Sequence, residues 1–211
     1  MAIVQGYSGQ VAVPPGGPTR ERCMNLRSLR ASVVATLALT GAPGLEAAAY
    51  TQVNPAASTL SFTYQQMGSR VYGTFATFVG TLDFDTARPQ AARAALAIEL
   101  KSIDAGSDDA NRQLQTPAWF DTAAYPVATF ESSRVDALGD DRYQITGNLT
   151  VRGVTREVSV PVQLKSQGGI GIFEGELVVQ RSAFSVGTGE WADTVVSDDI
   201  EIRFRMVSPE H

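Results

Sequence analysis

Histidine, cysteine and carboxylate build most active sites, and this sequence is short of the first two. Its one histidine is His211, the last residue, and its one cysteine is Cys23. No Ser-His-Asp or Cys-His nucleophile system can be assembled from that supply, and no cluster of those residues for zinc, iron or an iron–sulfur centre. Carboxylates are plentiful: Asp83 and Asp85 share a strand face, Asp108 stands beside Asp109, and Asp198 beside Asp199. Two carboxyls do acid–base work when they flank a substrate. Each pair here reads instead as a solvated edge, a helix cap or a turn. No GxGxxG runs from a strand into a helix and no GxxxxGK is present, so a phosphate-cradling loop is not expected. Residue types argue for no enzyme, no metal and no required cofactor.

What remains is apolar capacity. Phe75, Phe78, Trp119, Phe120, Phe130, Phe173, Phe184 and Trp191 are spread along the chain. Singly, each is core packing; as a set they are enough to line the inside of a closed sheet around an apolar or amphiphilic guest.

The elements that would position them are strands. Tyr143, Ile145, Leu149 and Val151 share one parity, with Gln144 and Asn148 on the other. Val158, Val160, Val162 and Leu164 repeat the pattern, as do Ile200, Ile202, Phe204 and Met206. Period two with one polar face means antiparallel strands. Val71 to Phe84 reads as one long strand bent at Gly73 and Gly80. Turn signals such as Leu138-Gly139-Asp140-Asp141 and Gln167-Gly168-Gly169 separate the strands. The count comes to about eight, with no βαβ rhythm. The exception is Asp108 to Leu114, a short helix capped by Asp108 or Asp109 and ended by Thr116-Pro117. A sandwich and a barrel both suit this count. In-strand glycines favour the barrel.

The chain of 211 residues, net charge -5, fits one domain with a real core. With 17 basic against 22 acidic residues and no basic run, nucleic-acid binding is not expected. From Met24, Arg27 and Arg30 precede an apolar run from Ala31 to Leu39, a Gly-Ala-Pro-Gly break and Ala47-Ala48-Ala49. This is the layout of a secretory leader over residues 24–49, with cleavage before Tyr50. Residues 1–23 then read as an extension preceding the true start, and cleavage also removes Cys23.

Four strings carry a family resemblance: VYGTFATFVGTLDFD, SIDAGSDDANRQLQTPAWFDTAAYPVATFESSRV, YQITGNLTVRGVTREVSVPVQL and RSAFSVGTGEWADTVVSDDIEIRFRM. In order and spacing they resemble the YceI-like family of polyisoprenoid-binding bacterial proteins, over residues 50–208. The resemblance implies an all-β fold, a single antiparallel eight-stranded lipocalin-like β-barrel with one short helix near the barrel mouth. It also implies a periplasmic location and a long cavity for a polyisoprenoid amphiphile such as a bound isoprenoid quinone. The aromatic pair before an aspartate falls on Trp119-Phe120-Asp121, the YP-x-x-x-F string on Tyr125-Pro126 and Phe130, and the closing G-x-G-x-W on Gly187 to Trp191. Asn54 to Ser58, Gln66-Met67 and Asn111 to Gln115 depart from the family pattern by lacking its histidines.

On this reading Phe75, Phe78, Leu114, Trp119, Phe120, Phe130, Phe184 and Trp191 line the apolar cavity. Arg112, Gln113 and Gln115 are the head-group candidates. Membrane contact would be transient, and the resemblance suggests a link to a cytochrome b561-type membrane protein. The rivals are an enzyme acting on an isoprenoid substrate through Asp121 or Glu190, and a structural or partner-binding barrel with a solid interior.

Overall fold

The computed structural model describes residues 47–188 and 195–211. The expected extension (1–23), the leader up to residue 46, Glu190 and Trp191 lie outside the described residues. The strands are β1 (Ala49–Gln52), β2 (Thr59–Gln66), β3 (Ser69–Phe75), β4 (Phe78–Asp85), β5 (Arg93–Glu99) and β6 (Ile103–Asp104). After helix α1 (Asp108–Leu114) come β7 (Val127–Gly139), β8 (Arg142–Val151), β9 (Val154–Gln167), β10 (Ile170–Gln180) and β11 (Asp199–Pro209). All pairings are antiparallel, in the order β1-β4-β5-β7-β8-β9-β10-β11-β2-β3-β6.

The expected closed, eight-stranded lipocalin-like barrel is not what forms. The chain makes an 11-stranded antiparallel sheet curled into an open half-barrel, 308° round with its edges 23 Å apart. Two breaks in long strands and one added strand account for the difference. The run from Val71 to Phe84 parts at Ala76-Thr77, giving β3 and β4. Its neighbour parts at a 3-10 turn, Leu100–Ser102, giving β5 and β6. Ser102 replaces the ladder there: its carbonyl accepts from Ala76 N at 3.1 Å and its hydroxyl oxygen from Thr77 N at 3.0 Å. With the ladder interrupted, β6 is left at one end of the sheet. The other end is β1, held beside β11 by a Tyr50–Glu210 bridge and by His211 N donating to Ala49 O at 2.9 Å.

Tight turns drive the meander. Four hairpins turn on residue pairs that are both left-handed: Met67-Gly68, Asp140-Asp141, Arg152-Gly153 and Gly168-Gly169. Such turns match the right-handed strand twist, which is why they dominate two-residue hairpins. Register shifts in β7, between Ser132 and Arg134 and between Ala137 and Gly139, add curl. The strand parity holds: Tyr143, Ile145 and Leu149, and Val160, Val162 and Leu164, are all buried. Helix α1 is capped by Ser107, whose hydroxyl oxygen accepts from Ala110 N at 3.2 Å, and not by Asp108 or Asp109. Those two stand in its first turn, where their charge suits the helix dipole.

Candidate functional site

The interior is a cavity in two chambers. The first, about 210 Å³, lies under α1 and is lined by β2 (Phe62, Tyr64, Gln66), β3 (Phe75), β8 (Leu149, Val151), β11 (Ile200, Ile202) and the segment after the helix (Trp119, Phe120). Ala110, Gln113 and Leu114 of α1 form its roof, and Arg181, Phe184 and Val186 close its side. The second, about 150 Å³, continues toward β1 between Val53, Leu60, Leu96, Phe130, Val160, Leu177 and Phe204. Thr81, itself exposed, is the one polar residue bordering it.

Beyond the second chamber the interior is solid. Tyr50, Phe84, Tyr143 and Phe173 meet edge to face, with ring centroids 4.9–5.4 Å apart. Tyr50, fully buried, shares a hydrogen bond with Ser166 (Oη–Oγ 2.9 Å). Burial raises the pKa of Tyr143, so its phenol stays neutral.

In-strand glycines shape the walls. An added Cβ on Gly73 would meet the Phe62 ring, on Gly147 the Phe130 ring, and on Gly175 the Phe204 ring. Each glycine leaves a flat bed on the sheet into which a neighbouring ring settles. Of those rings, Phe62 lines the first chamber and Phe130 and Phe204 the second. Gly73, expected as a bend, acts as a seat for the Phe62 ring.

The polar groups gather at the α1 end. Tyr64, Gln66, Gln113, Trp119 and Arg181 all line the first chamber. Burial raises the Tyr64 pKa, keeping a neutral phenol donor there. Arg181 is 5% exposed. Its Nε donates to Ser197 O (3.1 Å), Nη1 to Val186 O (3.0 Å) and Gly187 O (2.8 Å), and Nη2 to Val196 O (3.1 Å). Its guanidinium carbon also stands 5.7 Å from the Trp119 ring centroid. Arg152 ties the same rim together, donating to Pro117 O at 2.6 Å and to Ser185 O, while Thr188 N donates to Ala118 O at 2.9 Å.

Asp198 secures the turn that carries Arg181. It accepts from Ser182 Oγ at 2.7 Å and Ser182 N at 2.9 Å, and these bonds, the hydroxyl foremost, hold its pKa below the ordinary 3.8. A carboxyl depressed in the folded state stabilises the fold above its unfolded pKa and loses that contribution as pH falls through the folded value. Melting temperature followed from about pH 6 to about pH 2 is therefore expected to fall further for the wild type than for Asp198→Asn. Equal falls would remove Asp198 from the acid response.

Of the expected lining residues, Phe75, Leu114, Trp119, Phe120 and Phe184 face the first chamber and Phe130 the second. Phe78 is buried core and lines neither. Of the three polar candidates, Gln113 lines the first chamber; Arg112 is exposed and paired with Asp109, and the Gln115 carbonyl accepts from Thr122 N. Gln66, Tyr64 and Arg181 were not expected. Only the inward parity of Phe62 and Tyr64 in β2 would have pointed to any of them.

Fold and site together define a class: an antiparallel β protein curled around a lengthwise apolar cavity, with its polar groups at one end. A YceI-like domain matches residues 51–208, and the chain belongs to the YceI-like family. Over 110 residues it is 39% identical to Protein YceI of Escherichia coli and 33% identical to a UPF0312 protein of Azotobacter vinelandii. Both alignments take in 52% of this chain and 57% of the relative, so the chain spans little more than half the length of these curated relatives. It resembles the crystal structure of Burkholderia cenocepacia BcnA (TM-score 0.71, 39% identity, 74% of this chain and 98% of BcnA). In fold it also resembles a polyisoprenoid binding domain from Saccharophagus degradans (TM-score 0.60, 22% identity, 77% of this chain and 99% of that domain).

Proposed function

We propose that this chain is a periplasmic binding protein that holds a polyisoprenoid amphiphile, with an isoprenoid quinone as the leading candidate, and carries it without chemical change. The observation that carries this reading is the lengthwise gradient of the cavity: hydrogen-bonding side chains at the α1 end, and then a chamber with Thr81 as its one polar lining residue. Such a gradient suits a ligand with a polar head and a long hydrocarbon tail. Each CH₂ leaving water for the chambers contributes roughly 0.8 kcal/mol. Against a bilayer that gain nearly vanishes, so uptake from a membrane depends on fit and on bonds to the head. We assign those bonds to Gln113, with Tyr64 and Gln66, which line the α1 end of the cavity.

The Saccharophagus degradans domain, described as polyisoprenoid binding, supports the ligand class through its shared fold. The family supports the periplasmic location; residues 24–49 would serve as the leader and 50–208 as the binding domain. Among the described residues, neither chamber is lined by a carboxylate, histidine or cysteine, and no group of three such side chains is placed to hold a metal. The enzyme reading gains no support from that lining, and the two chambers weigh against a solid-interior structural protein.

Native mass spectrometry with lipid extraction, on protein purified from the periplasm of a quinone-producing bacterium, tests the proposal. A discrete prenyl-lipid adduct is expected, together with the mass of a chain beginning at Tyr50. A clean protein that also refuses added prenyl lipids would sink the carrier reading.

A further inference from the structure

We propose that Ile98, Leu149 and Ile202 form a collar that selects prenyl chains by length, a role that rests on the prenyl-lipid reading of the cavity. These three side chains line both chambers. They come from β5, β8 and β11, with one strand between the first two and two strands between the last two in the sheet order. Curling such a sheet brings the three onto facing walls. Ile98 and Leu149 are buried, and half-buried Ile202 packs against two separate core clusters, as a residue at a junction should.

The collar also divides the cavity chemically. Tyr64, Gln66, Gln113 and Arg181 lie on its α1 side, and Thr81 alone is polar beyond it. A polar head carried past the collar would lose its hydrogen-bond partners, so the head stays at the α1 end and only the tail can advance. A short prenyl chain is housed in the first chamber. A long one must pass between the three side chains, and two of these are β-branched, with restricted rotamers that cannot swing aside freely. The width at Ile98, Leu149 and Ile202 therefore decides whether the second chamber is used.

The test compares farnesol, a short prenyl alcohol, with solanesol, a long one, by the bound fraction in native mass spectra. Wild type is expected to bind both. Ile202→Phe should lose at least about tenfold more affinity for solanesol than for farnesol. Ile98→Phe, a second obstruction from a different wall, should do the same, and Leu149→Ala should shift preference toward solanesol; thermal melts of all three check folding. Phenylalanine variants that weaken both alcohols alike, or neither, overturn the collar while leaving the carrier intact. The same holds for a Leu149→Ala variant with wild-type preference. A wild type that binds neither alcohol overturns the prenyl-lipid reading and the collar with it.

Discussion

Arg181→Met is expected to destabilise the fold by about 3–5 kcal/mol, because several buried carbonyls lose a charged donor at once. Methionine preserves much of the apolar stem and deletes the fork of donors, so the loss reports on hydrogen bonding and charge rather than on a void. The carbonyls of Val186, Gly187, Val196 and Ser197 would all lose their guanidinium donors. A buried acceptor left without a donor costs about 1–3 kcal/mol, and partial relaxation toward water keeps the total below four such costs. Arg181→Lys should recover only part of the loss, because an ammonium is a point donor without the planar fork. Urea unfolding provides the measurement: a lower midpoint at unchanged slope is the expected result. A shift under about 1 kcal/mol would mean that the rim stands without its arginine.

Gly73→Ala carries the second large effect. A methyl group at this position would meet the Phe62 ring and stand 2.6 Å from the Asp104 carbonyl oxygen. The ring lines the first chamber, and the carbonyl belongs to β6, which is paired to β3 at Thr74 and Phe75. Over-packing of this kind costs about 3 kcal/mol, or roughly 10 °C in Tm for a domain of this size. Adding Phe62→Leu should return part of the stability by relieving the ring contact, while the carbonyl clash remains. If Gly73→Ala melts like wild type, the glycine is not the seat of the Phe62 ring.

Much of the sheet was legible because its signals are local. The alternation at Tyr143 to Leu149 and at Val158 to Leu164 marks the inward face, and Gly168-Gly169 and Asp140-Asp141 mark the turns where both residues are left-handed. The closed eight-stranded barrel failed because its failure is not local. Ala76 and Thr77 are unremarkable within a strand, and the break between β3 and β4 shows itself in the bonds to Ser102, a residue of another segment. The helix was found but its cap, expected at Asp108 or Asp109, lies one or two residues earlier at Ser107, since Ser and Asp are both good N-caps and backbone geometry decides between them.

The cavity followed the same division. Of the seven lining candidates among the described residues, six border it, because large apolar residues in an all-β chain have few other places to go. Its polar end was read only in part. Gln113, named from its place on the helix, borders the first chamber, where Gln66 and Arg181 join it from segments distant in sequence. Nothing around Arg181 foretells a buried guanidinium, since the carbonyls of Val186, Gly187, Val196 and Ser197 are backbone groups that any residue supplies.

The place of β11 in the sheet governs when this protein finishes folding. The hairpins from β7 to β10 close over short loops and can form early, but β2 pairs with the last strand of the chain. Ser61 reaches the Arg203 carbonyl across 142 positions. Contacts of such separation are slow to form and come late. Until β11 arrives, one side of β2 is a bare edge with unpaired backbone groups, and both chambers lack the wall that Ile202 provides. The emerging chain thus has no complete core to lock in before β11 is available.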